Sequence, residues 1–199
     1  YLYNLDYVKK IKTFSENIRW KLEIQNSINK AQLNQVENGL DIGCNAGIGT
    51  EFVSKLLNIK MYGVDTSLVA IEYANNRLKN SKNFYKYYDG YTLPFPSNNF
   101  DFVCSFHVIG HVNNAENFIK EAKRVLKNNK KIILVTPNAY YKIFALLDSL
   151  VNLYKPDKTV LKYWFPESLK KMLVKNGFEN INVVYDGQLP ILFKFFSFL

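Results

Sequence analysis

The segment Gly39-Leu40-Asp41-Ile42-Gly43-Cys44-Asn45-Ala46-Gly47 constrains the chain most, because an apolar strand there runs into a small, glycine-bearing turn that opens a helix. Such a turn is built to receive a nucleoside. Asp65 ends the next strand, Lys60-Met61-Tyr62-Gly63-Val64-Asp65, and Asp89 ends a third, Asn83-Phe84-Tyr85-Lys86-Tyr87-Tyr88-Asp89. Open α/β sheets bind ligands beyond the carboxyl ends of their strands, so Asp41, Asp65 and Asp89 are expected to converge on one ligand.

Hydrophobic periodicity supports that architecture along the chain. Leu5, Val8, Ile11, Phe14, Ile18, Leu22, Ile24 and Ile28 recur at helical spacing and predict one long or two shorter amphipathic helices over 5–33. Strands are expected at 39–43, 61–64, 84–88, 100–106 and 131–136, and helices at 48–57, 68–78 with Ser67 as N-cap, and 117–126 ended by Asn128-Asn129. Alternation with short turns calls for a doubly wound, mostly parallel sheet with helices on both faces. After Pro166 a helix to 175 and two apolar segments, 181–185 and 191–198, read as an antiparallel pair at the sheet edge, making seven strands.

A chain of 199 residues, 48% hydrophobic and without a linker-like stretch, is expected to form one domain over 1–199. Within it we expect N-terminal helices at 1–35, a ligand-binding half at 36–138, a cover insertion at 139–165, and a C-terminal helix and strand pair at 166–199. Cys44 and Cys104 lie in apolar surroundings without metal-ligand spacing, so neither a disulfide framework nor a metal site is expected, and a reduced, cytoplasmic setting fits. No apolar run approaches the ~20 residues of a membrane span, and the start has no signal-peptide layout. The start at Tyr1 without Met and the apolar ending Phe195-Phe196-Ser197-Phe198-Leu199 suggest a trimmed or partial chain. The net charge of +9 is mostly Lys scattered over helix faces, without an Arg-rich block, so a nucleic-acid partner is not favoured.

A dinucleotide site would need G-x-G-x-x-G, but counting from Gly43 puts Asn45 and Ile48 in the other two glycine places. A pyrophosphate also wants bare backbone N–H groups at the helix start, whereas Asp41 adds negative charge there and suits a cation. Asp41-Ile42-Gly43-Cys44-Asn45-Ala46-Gly47 instead resembles the first motif of the class I S-adenosylmethionine-dependent methyltransferases. The resemblance continues through Asp89-Gly90-Tyr91-Thr92-Leu93-Pro94-Phe95-Pro96, Phe100-Asp101-Phe102-Val103-Cys104-Ser105, His111-Val112 and the helix and turn from Glu121 to Lys131, over residues 36–138. It is nearest to the type 11 methyltransferases and the quinone-biosynthesis O-methyltransferases. Asn45 departs from the family's central Gly and Gly110 from its usual Glu; Asn is the substitute that best tolerates the left-handed backbone region.

What the resemblance implies is a Rossmann-like methyltransferase fold that binds S-adenosyl-L-methionine. Asp65 would accept both ribose hydroxyls and Asp89 the adenine amino group. Asp41, Gly43, Cys44, Asn45 and Gly47 form the loop around the cofactor, with Thr66, Gly90, Ser105 and His111 beside it. Transfer is an in-line displacement by a lone pair about 3 Å from the methyl. For a hydroxyl acceptor His107 is the expected general base, since imidazole is the side chain suited to proton transfer near neutrality and the chain has two, His107 and His111. The N-methylating Asn/Asp-Pro-Pro-aromatic motif is absent, as that place reads Ser105-Phe106-His107-Val108. A small-molecule oxygen is therefore the expected acceptor. The alternatives are an RNA-modifying methyltransferase and a non-catalytic binding module. Tyr140, Tyr141, Phe144, Tyr154, Tyr163 and Trp164 would line the acceptor's cover, with Lys142, Lys155 or Lys162 for an acidic group and Tyr3 or Tyr7 closing over the cofactor.

Overall fold

The strand Phe100–Phe106 is apolar on both faces, and the computed structural model places it at the middle of a seven-stranded sheet, as period-2 packing requires. The structure describes residues 18–77, 81–140, 159–186 and 195–198. In chain order these form α1 (Ile18–Ala31), β1 (Asn38–Ile42), α2 (Ile48–Leu57), β2 (Lys60–Asp65), α3 (Leu68–Arg77), β3 (Phe84–Tyr87) and β4 (Phe100–Phe106). There follow α4 (Ala115–Val125), β5 (Leu126–Pro137), α5 (Pro166–Lys175), β6 (Val183–Asp186) and β7 (Phe195–Phe198). The sheet order is β3-β2-β1-β4-β5-β7-β6. The first five strands are parallel, while β7 runs antiparallel to both β5 and β6. This is a Rossmann-like sheet whose order reverses between β1 and β4, so the crevice outside their carboxyl ends is where a ligand belongs.

Alternating residues feed two cores. Phe102, Cys104, Ile133 and Val135 pack with Ile24 and Ile28 of α1 and Val53 of α2. Val103, Ile132 and Leu134 pack on the opposite face with Ile119 of α4 and Leu169 of α5. Strands β1 and β4 approach closely because Gly39 has no side chain: a Cβ there would stand 2.4 Å from the Phe102 ring. Asp101 satisfies the start of β1 by accepting from the N–H groups of Glu37 and Asn38, at 2.8 and 3.2 Å, and it pairs with Lys127 at 2.9 Å.

Several boundaries differ from expectation. Helix α4 begins at Ala115, because Asn114 caps it by accepting from the N–H of Asn117 at 3.0 Å. Asn128 and Asn129 do not separate helix from strand: β5 starts directly at Leu126, and its pairing with β4 slips between Phe100 and Phe102, where Asn129 has a φ of 58°. Ser67 caps α3 through its hydroxyl, which accepts from the N–H of Ala70 at 3.2 Å. The expected helix portion over 5–17 and the segments 141–158 and 187–194 lie outside the described residues. Among those residues no helix is long and apolar enough to cross a membrane.

The turn after Asp89 is fixed from below by α4. Glu121 accepts from the N–H of Leu93 at 2.7 Å, and Arg124 donates to the carbonyls of Phe95 and Leu93 at 2.7 and 2.9 Å while pairing with Glu121. Removing the Glu121 carboxylate strands a half-buried N–H and leaves Arg124 without its counter-charge. Glu121→Ala is accordingly expected to lower unfolding stability by about 2 kcal/mol, read by urea titration.

Candidate functional site

The loop after β1 leans over the end of β2. Gly43 and Cys44 both donate their N–H groups to the Val64 carbonyl, at 2.8 and 3.0 Å. Gly43 has a φ of 83°, and a Cβ there would lie 2.2 Å from Val108, so the loop and the segment after β4 close on each other only because this residue is glycine. Asn45 takes the left-handed conformation expected of it, with a φ of 50°. Its N–H then points at Asp65 and donates to Oδ2 at 2.8 Å. Gly47 starts α2, and the Tyr85 hydroxyl donates to its carbonyl at 3.3 Å.

Asp65 is half-buried, and its other oxygen, Oδ1, accepts from the N–H of Ser67 at 2.8 Å. Burial raises its pKa, while the N–H groups of Ser67, Asn45 and Thr66 pull the other way. A carboxylate accepts about four hydrogen bonds in all, so Asp65 keeps capacity for a further donor. The end of β3 lies alongside: Tyr88 donates its N–H to the Asp65 carbonyl at 3.1 Å, and a Cβ on Gly90 would stand 3.3 Å from the Thr66 methyl. Asp89 is exposed, with Oδ1 accepting from the N–H groups of Thr92 and Tyr91 at 2.8 Å each, and these hold its carboxyl below the usual range.

Asp41 sits differently. It is buried beneath the loop, where the Thr50 hydroxyl donates to Oδ2 at 2.6 Å, and so it supports the loop from inside rather than standing in the open crevice. Burial pushes its pKa up to about 7; the bond from Thr50 opposes this and the charge on Asp65 adds to it. Cys44 and Cys104 are buried free thiols whose pKa burial pushes up.

At the end of β4, Ser105 is buried and its hydroxyl donates to the Ile42 carbonyl at 2.8 Å, which commits it to joining β4 to β1. His107 has a φ of 61°, and its N–H donates to the Val135 carbonyl at 2.8 Å. Its Nε2 lies 3.1 Å from Oε2 of Glu23, which reaches across from α1. Sequence reasoning missed Glu23 and Thr50; Glu23 gave only one signal, an acidic residue beside the apolar face of a helix. His111 is exposed, with Nδ1 2.9 Å from the Thr159 carbonyl, so it fastens the segment after 158. Of the cover residues, the Tyr140 ring stacks edge-on with Phe165 at 5.0 Å, and Lys162 lies over Trp164 at 3.9 Å. Tyr3, Tyr7, Tyr141, Lys142, Phe144, Tyr154 and Lys155 lie outside the described residues. Among the described residues no group of three metal-ligating side chains gathers.

Residues 40–134 match the family described as "Methyltransferase domain". The demethylmenaquinone methyltransferase of Tropheryma whipplei is 27% identical over 163 residues, covering 72% of this chain and 67% of that protein. Shorter matches join it to the ubiquinone biosynthesis O-methyltransferase of Pelagibacter ubique, 32% identical over 54% of this chain and 46% of that protein. Ajmaline N-methyltransferase of Rauvolfia serpentina is 31% identical over 50% of this chain and 35% of that protein. The chain thus spans about two thirds of the first relative and less than half of the other two. Among solved structures, an S-adenosylmethionine-dependent methyltransferase from Aquifex aeolicus superposes with a TM-score of 0.72 at 19% identity, over 96% of this chain and 95% of that one, and shares the fold.

Two outcomes follow from the geometry. Asp65→Ala is expected to weaken S-adenosylmethionine binding roughly 10- to 100-fold in calorimetry, the loss expected for hydrogen bonds to a charged group. Asp41, raised from 3.8 to about 7, contributes stability that is complete below pH 3.8 and is lost as pH rises through about 7. Acidifying from pH 7 towards 5 should therefore stabilise the free protein by ~1.4 kcal/mol per unit, and Asp41→Asn should flatten this slope in urea titrations.

Proposed function

We propose that this chain, which belongs to the class I S-adenosylmethionine-dependent methyltransferases, passes the methyl group to an oxygen of a small-molecule acceptor. The observation that carries the reading is the His107–Glu23 pair at the end of β4. Asp65 holds the ribose hydroxyls, Asp89 the adenine amino group, and the 43–47 loop lies against the rest of the cofactor. Bound there, S-adenosylmethionine supplies a methyl carbon made electrophilic by its sulfonium.

The chain's own part is placement and proton removal. With Glu23 accepting from Nε2–H, the imidazole carries its lone pair on Nδ1 and can take the proton of an acceptor hydroxyl as the oxygen bonds to the methyl. The Glu23 carboxylate then balances the imidazolium that forms. The quinone-biosynthesis relatives support a small ring-bearing acceptor, and the lack of a Pro-Pro-aromatic segment after β4 supports oxygen over nitrogen. A second reading, an RNA acceptor, draws on the net charge of +9 and demands RNA binding that weakens steeply with salt.

The test is product formation from S-adenosylmethionine with phenols, catechols, amines and RNA as acceptors, wild type against variants. Methylation of a phenol or catechol is expected; turnover of RNA or amines alone contradicts the reading. His107→Ala should lower kcat about 100-fold with cofactor affinity kept, and Glu23→Gln should give a smaller loss of the same kind.

A further inference from the structure

Asp41 is a buried acid without a cation. It stands one residue before the end of β1, 3% exposed, and its register partners on the neighbouring strands are Gly63 of β2 and Cys104 of β4. Neither brings positive charge. From α2 the Thr50 hydroxyl reaches it at 2.6 Å, and among the described residues this is the single donor to its carboxyl. No Lys, Arg or His among those residues pairs with it. Arg77 approaches the 43–47 loop from α3, but it bonds Glu51 and the Ala46 carbonyl, both at 3.3 Å. From α1, Ile24 and Ile28 cover this face of the sheet, while Glu23 and His107 pair with each other at 3.1 Å. The remaining titratable groups whose fields meet Asp41 are acids: Asp65 after β2, the thiols of Cys44 and Cys104, and the Tyr85 phenol of β3. The start of α2 adds only a fractional positive charge.

Such a carboxyl has two stable conditions: it holds a proton, or it ionises against a positive charge that arrives. The free protein is in the first, since burial pushes the pKa up to about 7. The second needs a cation close by, and the fold provides the place. The 43–47 loop joins β1 to α2 over the Asp41–Thr50 pair, and the sheet order reverses between β1 and β4 just beyond it. A charge bound in that crevice acts on Asp41 through protein rather than bulk water, where Coulomb interactions are several times stronger. S-adenosylmethionine and its product differ by one unit of charge at one atom. The sulfonium is a cation and the thioether is neutral, while adenosine, carboxylate and ammonium are common to both.

We infer that Asp41 is the group by which this protein prefers S-adenosylmethionine to S-adenosylhomocysteine, ionising when the sulfonium is bound and regaining a proton once a thioether is left. The proton goes to solvent on binding and returns from solvent at the product stage, so no further reactant enters. Proton and sulfonium therefore compete for one carboxylate. As pH falls below about 7, the affinity for S-adenosylmethionine declines while that for S-adenosylhomocysteine holds. The proposal rests on S-adenosylmethionine being the cofactor and is independent of which acceptor atom is methylated.

Calorimetric titration of the full chain with each ligand near pH 6, in phosphate and in bis-Tris, counts the protons released through the difference in buffer heat. Wild type should release about one more proton with S-adenosylmethionine than with S-adenosylhomocysteine, and its preference for the former should fall up to about tenfold per pH unit below the midpoint. Asp41→Asn should abolish the difference in protons and make the ratio of the two affinities independent of pH. Thr50→Val, which removes the donor to the ionised form, should move the wild-type midpoint to higher pH. Equal proton release for the two ligands in wild type overturns the proposal. A difference that survives in Asp41→Asn does so too, and assigns the proton to another group such as His107. If Asp41→Asn does not fold, Thr50→Val decides, and an unmoved midpoint overturns the proposal. If neither ligand binds, the cofactor site fails and the proposal falls with it, whereas failure to methylate any acceptor leaves the binding result standing.

Discussion

The hydrogen bond from the Asn45 N–H to the Asp65 carboxylate joins the loop after β1 to the end of β2, and the candidate site depends on it. Once made, it settles several things together. It holds Asn45 in a left-handed conformation that costs a non-glycine residue energy, and it gives a half-buried carboxylate a donor. The two N–H bonds to the Val64 carbonyl brace the same loop against the same strand. The loop is thereby shaped before any ligand arrives, which reduces the ordering cost of binding.

The three aspartates at the strand ends perform unlike tasks. Asp89 is exposed and organises its own turn, Asp65 takes the N–H groups of Asn45 and Ser67 at the end of β2, and Asp41 lies under the loop against Thr50. That division follows from depth. At the surface, backbone donors pull a carboxyl pKa down; in the interior, burial pushes it up, and Asp41 beside a cationic ligand would be drawn back towards its charged form.

The sequence made the parallel half of the fold legible because its strands are short apolar runs, the first three ended by Gly43, Asp65 and Asp89. The bounds of α2 and α5 and the Ser67 cap followed from spacing and capping chemistry alone. The Asn128-Asn129 pair misled because polar turn formers also occupy a strand irregularity, where local propensity yields to the pairing of β5 with β4. Within the site, strand-end residues could be placed from spacing, but side-chain partners could not. Ser105 looked like a crevice residue and instead bonds the Ile42 carbonyl. Glu23 meets His107 across 84 positions of chain, a contact that exists only after α1 docks on the sheet. Thr136 and Asn138 read as the end of a strand, and that the Thr136 hydroxyl and the Asn138 amide nitrogen lack hydrogen-bond partners among the described residues emerges only from the structure.

The most direct measurement is a crystal structure of the chain with S-adenosylhomocysteine. The account predicts the two ribose hydroxyls on the Asp65 carboxylate, the adenine amino group at Asp89, and the Asn45 N–H still donating to Asp65. A ligand seated away from the ends of β1 and β2, or a ribose whose hydroxyls leave Asp65 untouched, would contradict it.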